Sequence, residues 1–180
     1  METWRSQSRD SLAPSRQTEL RLASRVVRAR LAGRPLFLSH LITRRCNARC
    51  ATCLWRADAD KARGPDAPEL TADEVAWLYR RAGADGFPLL VVWGGEPLLR
   101  PDLPHLLREA RGAGLAVVLI TNGWLLPEQW PALRGLVRTL IVSLDDVGEA
   151  HDRLRGLPGL FVRLDGFMGS LGSDRQRPRL

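Results

Sequence analysis

The sequence predicts an α/β fold built from parallel strand–helix repeats. Short apolar runs alternate with segments of helical periodicity, which is typical of βαβ units and a parallel sheet. Four such repeats can be traced in the 180 residues. A polar motif follows each apolar run, at the strand end where parallel α/β proteins place their active sites. The agreement of four separate motifs therefore predicts a functional site at the carboxyl edge of the sheet.

Residues 1–34 form a basic arm. Its first 14 residues are polar, and we expect them to be disordered. Residues 15–32 predict a helix whose apolar stripe consists of Leu20, Ala23, Val26, Val27 and Leu31. Gly33 ends this helix, and Pro35 begins an extended segment. The helix is expected either to pack across the bottom of the domain or to lie on an anionic membrane surface.

The first strand is predicted at residues 36–43, immediately before the cysteines. Residues 54–70 are a long charged loop, and loops of that length in compact domains are usually lids or flexible segments. A capping box begins the next helix, in which Thr71 caps the backbone and Glu74 reaches back to it. The second strand, residues 88–93, is an unbroken apolar run, which predicts burial.

The second half of the chain repeats this alternation. Asp102 is expected to cap the helix that follows the second strand. In chain order, the remaining predictions are a helix to about Arg111, a strand at 115–120, a helix at about 127–136, a strand at 139–143, a helical stripe from Leu160 to Leu171, and an arginine-rich tail at 173–180.

All three cysteines, Cys46, Cys50 and Cys53, lie within eight residues. Three thiols cannot all pair in disulfides, and clustered thiolates without a secretory signal are better explained as ligands of one metal centre. Structural zinc needs four ligands, usually as two separated pairs. A [4Fe–4S] cluster has four irons, so three thiolates leave one iron open to a small molecule. The triplet therefore favours a catalytic cluster over a structural metal.

The Cys-x3-Cys-x2-Cys spacing after a first strand resembles that of the radical S-adenosylmethionine (radical SAM) enzymes. The resemblance covers roughly residues 35–170 and continues through four further motifs. These are Gly94-Gly95-Glu96-Pro97, Thr121-Asn122-Gly123, Ser143-Leu144-Asp145 and His151-Asp152-Arg153-Leu154-Arg155-Gly156. It implies a partial TIM-like barrel in residues 35–172, with about four of the family's six βα units. The chain is therefore expected to be shortened at its C-terminal end, with an exposed fourth strand.

The resemblance also implies a chemistry. Cys46, Cys50 and Cys53 would hold a [4Fe–4S] cluster, and S-adenosylmethionine would bind to its open iron. Reductive cleavage would then yield a 5′-deoxyadenosyl radical that removes a hydrogen atom from a substrate. The implied partners are a small-molecule or peptide substrate and a reductant such as flavodoxin or ferredoxin.

Cofactor-binding roles are implied for the residues at the strand ends. Gly94 and Gly95 would let the backbone approach the ligand closely. Glu96 would place a carboxylate beside the methionine ammonium, and Pro97 would fix the exit of the strand. Weaker polar contacts are implied for Asn122, Ser143 and Arg155. For these three, an ordinary turn, a strand-end hydroxyl and a solvated charge are the alternatives.

Three functions remain open at this stage. The first is a radical SAM enzyme, acting alone or with a partner that completes the barrel. The second is a truncated, inactive relative that only binds an iron–sulfur cluster. The third is a metal-binding interaction module that uses the basic arm to reach nucleic acid or a membrane.

Charge and composition limit these choices. The net charge of +7 arises in residues 1–45, where ten arginines face three acidic residues, while residues 46–180 are neutral. Aromatic residues do not interleave with the basic ones, which disfavours nucleic-acid binding. No apolar run approaches the ~20 residues that span a bilayer, and residues 1–34 lack the apolar core of a secretory signal. We therefore expect a cytoplasmic protein.

Overall fold

The structure is a computed structural model that describes residues 16–53 and 69–171. The predicted disorder of residues 1–14 and the predicted tail at 173–180 lie outside these ranges. Of the predicted lid at residues 54–70, only Glu69 and Leu70 are described.

Within the described residues, four strands form one parallel sheet. Their order is the order of the sequence, and each strand pairs with the next. The elements are α1 (Arg16–Leu31), β1 (Phe37–Thr43), α2 (Ala72–Ala84), β2 (Leu89–Gly94), a 3₁₀ turn (Pro97–Leu99), α3 (Leu103–Gly112), β3 (Ala116–Thr121), α4 (Leu126–Leu133), β4 (Thr139–Val142), α5 (Gly148–Arg155) and α6 (Leu160–Leu171). The predicted α/β fold with four parallel strands is confirmed.

The main core lies between one face of the sheet and the helices. Leu90 and Val92 of β2 are fully buried there, together with Val117 and Leu119 of β3. The intervening residues of both strands are mostly only half-buried, Trp93 among them. The unbroken apolar run of β2 predicted burial, but helices cover only one face completely. The other face lines an open cavity at the carboxyl ends of the strands.

Helix α1 packs at the opposite end of the sheet, against the segments that precede the strands. The Arg25 guanidinium donates hydrogen bonds to the carbonyl oxygens of Phe87, at 3.0 Å, and of Gly114. Glu19 forms an ion pair with Arg138 at 2.5 Å. The structure thus shows the packing contacts that one of the two alternatives for this helix predicts.

Most of the apolar stripe predicted for α1 nevertheless faces solvent and does not pack against the sheet. Leu20, Val27 and Leu31 are 65%, 55% and 83% exposed, whereas Ala29 is only 5% exposed. The charged side chains of Arg25 and Glu19 lie on the inner side, where they meet their partners. The hydrogen bonds of Arg25 and the ion pair of Glu19, rather than burial of the largest aliphatic side chains, therefore decide which face of the helix packs against the sheet.

One predicted helix cap is confirmed, and the other is confirmed in its position but not in its side-chain hydrogen bond. The Thr71 hydroxyl accepts a hydrogen bond from the Glu74 amide at 3.3 Å, and the Thr71 amide donates to the Glu74 carboxylate at 2.8 Å. This is the predicted capping box. Asp102 precedes α3, but its carboxylate makes no capping hydrogen bond. Its two oxygens instead accept hydrogen bonds from Arg100 at 2.9 and 2.6 Å.

Arg100 ties together three parts of the chain below the cavity. It is only 5% exposed, and its Nη1 donates to the carbonyl oxygens of Ile42 and Leu70, both at 3.1 Å. The guanidinium also holds the pKa of the Asp102 carboxyl below its usual range. Because β1, the start of α2 and the turn before α3 all contact this one side chain, we expect the fold to depend on it.

We predict that Arg100→Met lowers the free energy of unfolding by about 3 kcal/mol, because two buried carbonyl groups and a carboxylate lose their donor. The measurement is urea denaturation followed by circular dichroism. Arg81→Met is the matched control, since Arg81 pairs with Asp85 on the surface and is 65% exposed. Exposed pairs of this kind contribute little, so the control should be unchanged. Equal losses in the two variants would contradict the prediction.

Candidate functional site

A cavity of about 300 Å³ opens at the carboxyl ends of the strands. It brings together most of the residues that the sequence analysis singled out. Those lining it are Cys46, Cys50, Cys53, Gly94, Gly95, Asn122, Ser143 and Arg155. Glu96 and Pro97 are buried beside it, and Pro97 begins the 3₁₀ turn through which the chain leaves β2. The walls include the apolar side chains of Leu41, Trp93 and Ile120.

The three cysteines are free thiols at the mouth of this cavity. Cys46 and Cys50 are half-buried and Cys53 is exposed. In the part of the chain that the structure describes, no three ligand side chains converge on a point where one metal ion would sit. A [4Fe–4S] cluster needs no such convergence, because its cysteine ligands bind different irons. Three thiols beside one cavity therefore fit such a cluster.

Burial raises the pKa of the Cys46 thiol. The Ala48 amide lies 3.4 Å from the Cys46 sulfur and donates a hydrogen bond to it, which opposes that rise. Backbone donors of this type stabilise a thiolate, the form in which cysteine binds metals.

Helix α5 holds the cysteine loop in place from one side. The Arg49 amide donates to the Arg155 carbonyl at 2.9 Å, and the Ala51 amide donates to the Leu154 carbonyl at 2.8 Å. Gly156 ends the helix with a φ of 63°, and a Cβ added there would lie 3.0 Å from the Arg49 Cβ. The loop therefore docks onto the last turn of α5, a helix that the sequence analysis did not predict.

The Arg155 side chain connects the same helix to a cysteine. Its Nε and Nη2 lie 2.7 and 2.8 Å from the two carboxylate oxygens of Asp145. Its Nη1 lies 3.6 Å from the Cys50 sulfur. The resemblance implied a polar contact between Arg155 and the cofactor, and that contact stays a prediction. In this structure the guanidinium pairs with the Asp145 carboxylate and faces the Cys50 sulfur.

Close packing against the backbone of residues 43–45 requires glycine at positions 94 and 95. A Cβ at Gly94, where φ is 151°, would lie 2.3 Å from the Thr43 carbonyl oxygen. A Cβ at Gly95 would lie 2.3 Å from the carbonyl oxygen of Arg45. The predicted reason for these glycines was close approach to a ligand. They do line the cavity. The structure also shows a second reason for glycine, because the end of β2 packs directly against the backbone that leads into the cysteine loop.

Glu96 is fully buried, and both of its oxygens are engaged by the protein. One oxygen accepts from the Thr121 hydroxyl at 2.6 Å and the Leu98 amide at 3.0 Å, and the other accepts from the Asn122 amide at 2.8 Å. Burial raises the pKa of the Glu96 carboxyl, and these hydrogen bonds oppose the rise. The predicted contact of this carboxylate with a ligand ammonium stays a prediction. In this structure the carboxylate joins the ends of β2 and β3.

Asn122 acts as a bridge between two loops. Its side-chain nitrogen donates to the Asn47 side chain at 2.8 Å, and its side-chain oxygen accepts from the Trp124 amide at 2.9 Å. Asn47 lies between the first two cysteines and was not singled out by the sequence analysis. Only its position between two of the cysteines could have indicated in the sequence that Asn47 belongs to the site. Ser143 lines the cavity, and only its amide, which donates to the Thr121 carbonyl at 3.0 Å, has a described partner.

The sequence is similar to one protein family over most of its length. A family model described as the Radical SAM superfamily matches residues 41–163. The match begins in β1 and ends in α6, so it contains the cysteine loop and all the motifs at the strand ends.

Several curated relatives are similar to the same region. An AdoMet-dependent heme synthase of Methanosarcina barkeri is 40% identical over 132 residues, which are 72% of this chain and 37% of the relative. An Fe-coproporphyrin III synthase of the same organism is 35% identical over 122 residues, 67% of this chain and 30% of the relative. A GTP 3′,8-cyclase of Geobacter sulfurreducens is 38% identical over 114 residues, 62% and 34% of the two chains. The chain spans about a third of the length of these relatives.

Solved structures share the fold. Streptococcus suis SuiB bound to S-adenosylmethionine superimposes with a TM-score of 0.62 at 20% identity, covering 89% of this chain and 38% of that one. The structure of anSMEcpe with bound AdoMet gives a TM-score of 0.59 at 20% identity, covering 75% of this chain and 40% of that one. At this level of identity the likeness concerns the fold alone.

We predict that Glu96→Ala destabilises the metal-free protein, by about 3 kcal/mol, because three buried donors lose their acceptor. The measurement is urea denaturation of the protein before any metal is added. Glu149→Ala is the matched control, because the Glu149 side chain is 92% exposed. We expect the control to unfold at the wild-type urea concentration. Unchanged stability of Glu96→Ala would show that this residue serves a bound ligand and not the fold.

Proposed function

Because the chain belongs to the radical SAM superfamily, we propose that it binds a [4Fe–4S] cluster through Cys46, Cys50 and Cys53 and S-adenosylmethionine beside it. The supporting observation is that the three thiols and the motifs that follow the strands line one cavity. A bound cluster would supply the electron that cleaves S-adenosylmethionine and releases a 5′-deoxyadenosyl radical. The protein's own contribution is to bind, orient and shield the reactants.

The residues around the cavity suit these tasks. Leu41, Trp93 and Ile120 supply apolar walls, which limit access of water to a reactive intermediate. Three thiolates in one loop concentrate negative charge. The Arg155 guanidinium, 3.6 Å from the Cys50 sulfur, lies where it offsets part of that charge. Asp145 fixes the orientation of the guanidinium through two contacts.

We assign the cofactor contacts in two groups. Ser143, Gly94 and Gly95 line the cavity, where we expect a ligand to contact them. Asn122 also lines it, but its side chain is engaged with Asn47 and Trp124, so its main task is to shape the wall. Glu96 is buried beside the cavity, where its hydrogen bonds to Thr121 and Asn122 hold the ends of β2 and β3 together.

We propose a tetrapyrrole as the substrate. Support comes from the relatives named as a heme synthase and an Fe-coproporphyrin III synthase, which are 40% and 35% identical to this chain. The combination of apolar cavity walls with Arg44 and Arg49 also suits a flat apolar ring that carries carboxylates. A nucleotide is the alternative, supported by the similar GTP cyclase. The proposed setting is the cytoplasm, with a flavodoxin or ferredoxin as the reductant.

We predict that the protein takes up iron and sulfide during anaerobic reconstitution, at about four of each per chain. With a strong reductant, the loaded protein should convert S-adenosylmethionine to 5′-deoxyadenosine and methionine. Cys50→Ala should lose both properties. Thr52→Ala is the matched control, since Thr52 lies in the same loop and lines the same cavity but is not a ligand. Both properties should survive in that control.

The competing functions give different results in the same experiment. Stoichiometric iron and sulfide without 5′-deoxyadenosine would identify an inactive relative that only binds the cluster. Stoichiometric zinc with refusal of iron and sulfide would contradict the proposal and favour a metal-binding interaction module.

We also predict that an iron porphyrin carrying carboxylate side chains increases the yield of 5′-deoxyadenosine from the loaded protein, because a bound substrate supplies the hydrogen atom that converts the 5′-deoxyadenosyl radical to 5′-deoxyadenosine. The yield is measured chromatographically with and without the porphyrin. The double variant Arg44→Gln/Arg49→Gln should respond less, and Arg108→Gln, an exposed arginine outside the cavity, should respond as the wild type does. Stimulation by GTP but not by porphyrin would identify a nucleotide substrate instead.

A further inference from the structure

The outward face of α1 carries a narrow apolar ridge, which we define as Leu20, Val27 and Leu31. Their side chains are 65%, 55% and 83% exposed. With 100° between successive helical residues, the three positions fall within about 40° of one another around the helix axis. At 1.5 Å per residue the ridge is about 16 Å long. Single exposed apolar residues are ordinary, but three of them lie in line on this helix.

Positive charge flanks the ridge on both sides. Arg21 and Arg28 follow one flank and Arg30 follows the other, and all three are exposed. Arg28 lies along the helix, where it donates to the carbonyl and hydroxyl oxygens of Ser24. Within α1 the only acidic residue is Glu19, which lies on the same flank as Arg30 and pairs with Arg138. The outward face is therefore both apolar and cationic.

This charge distribution indicates which kind of partner would bind the outward face of α1. A second copy of the chain would place arginine against arginine, and the one acidic residue of α1 already pairs with Arg138. A tightly bound protein partner usually requires aromatic anchors set in pockets, whereas the ridge is convex and purely aliphatic. An anionic lipid surface accepts aliphatic side chains between its headgroups and cationic side chains among its phosphates. The ridge and its flanking arginines match that surface.

The position of α1 is compatible with such docking. Its inner face is fixed to the segments that precede β2 and β3, through the bonds from Arg25 to Phe87 and Gly114. The cavity opens at the opposite, carboxyl ends of the strands. Phe37, at the start of β1 and 56% exposed, lies at the same end of the sheet as α1. A surface bound to α1 would therefore leave the cavity mouth free.

We propose that α1 docks this protein reversibly onto an anionic lipid surface, with the ridge inserted among the headgroups and Arg21, Arg28 and Arg30 against the phosphates. No helix among the described residues is long and apolar enough to cross a bilayer. The attraction combines burial of a small apolar area with screened charge, so binding is weak and sensitive to salt. This property is independent of the proposed radical chemistry.

The test is cosedimentation of the full-length protein with phosphatidylcholine vesicles that contain about 30% phosphatidylserine. The triple variant Leu20→Ser/Val27→Ser/Leu31→Ser should weaken binding about tenfold or more, since the apolar insertion is lost. The matched control replaces three equally exposed apolar residues elsewhere by serine: Trp77, Val147 and Val162, which are 63%, 68% and 76% exposed. That control should bind as the wild type does.

A second variant tests the charges. Arg21→Gln/Arg28→Gln/Arg30→Gln should weaken binding to the anionic vesicles, and added salt should weaken the wild type but affect this variant less. All substituted side chains are exposed, so circular dichroism and the urea midpoint should stay at wild-type values. Absence of wild-type binding to the vesicles, equal binding to pure phosphatidylcholine, or full binding by the serine variant of the ridge would each overturn the proposal. Capture by an acidic peptide without binding to vesicles would also overturn it.

Discussion

The end of β2 is held by a buried charge, and the site depends on how that charge is satisfied. The Glu96 carboxylate has no contact with solvent and accepts hydrogen bonds from Thr121, Asn122 and Leu98. A buried carboxylate without such donors would be strongly unfavourable, so these groups must lie where they do. The neighbouring amides of Gly95 and Glu96 donate to the carbonyls of Thr43 and Arg45, both at 2.8 Å. The ends of β1, β2 and β3 are thereby set relative to one another.

The cysteine loop is positioned from two sides as a consequence. On one side it continues from the segment at residues 43–45 that packs on Gly94 and Gly95. On the other side it is hydrogen-bonded to the last turn of α5 and approached by the Arg155 guanidinium. A loop of eight residues with polar side chains has little core of its own. Its geometry is therefore decided by these neighbours, and the thiols face the cavity because both attachments require it.

The two ends of the sheet serve different purposes. The carboxyl end carries the cavity and nearly every residue proposed to act in binding. The opposite end is covered by α1, whose inner face is anchored by Arg25 and Glu19 and whose outer face is apolar and cationic. Because α1 and the cavity lie at opposite ends of the strands, contacts made by one do not obstruct the other. The proposed chemistry and the proposed lipid contact can therefore coexist in one domain.

Most of the fold could be predicted from local patterns, and the failures share one cause. Strands β1 to β4 appear within about one residue of their predicted bounds. Buried strands consist of apolar runs, and such runs can be identified from the sequence alone. Helix α5 was missed because, apart from Ala150 and Leu154, its eight residues carry no apolar pattern. The inner face of α1 was misjudged because its partners are carbonyl groups and Arg138, which are distant in sequence.

By itself, the sequence determined the class of fold, the trio of thiols and the set of motifs that gather at one edge of the sheet. These follow from periodicity and spacing, which are properties of neighbouring residues. Only the tertiary structure decided which distant groups each motif contacts. Glu96 holds strand ends, Gly94 and Gly95 admit the backbone of another strand, and Arg155 pairs with Asp145. Such roles depend on which distant groups share a buried space, because the same carboxylate or guanidinium serves a ligand or the fold according to its nearest partner.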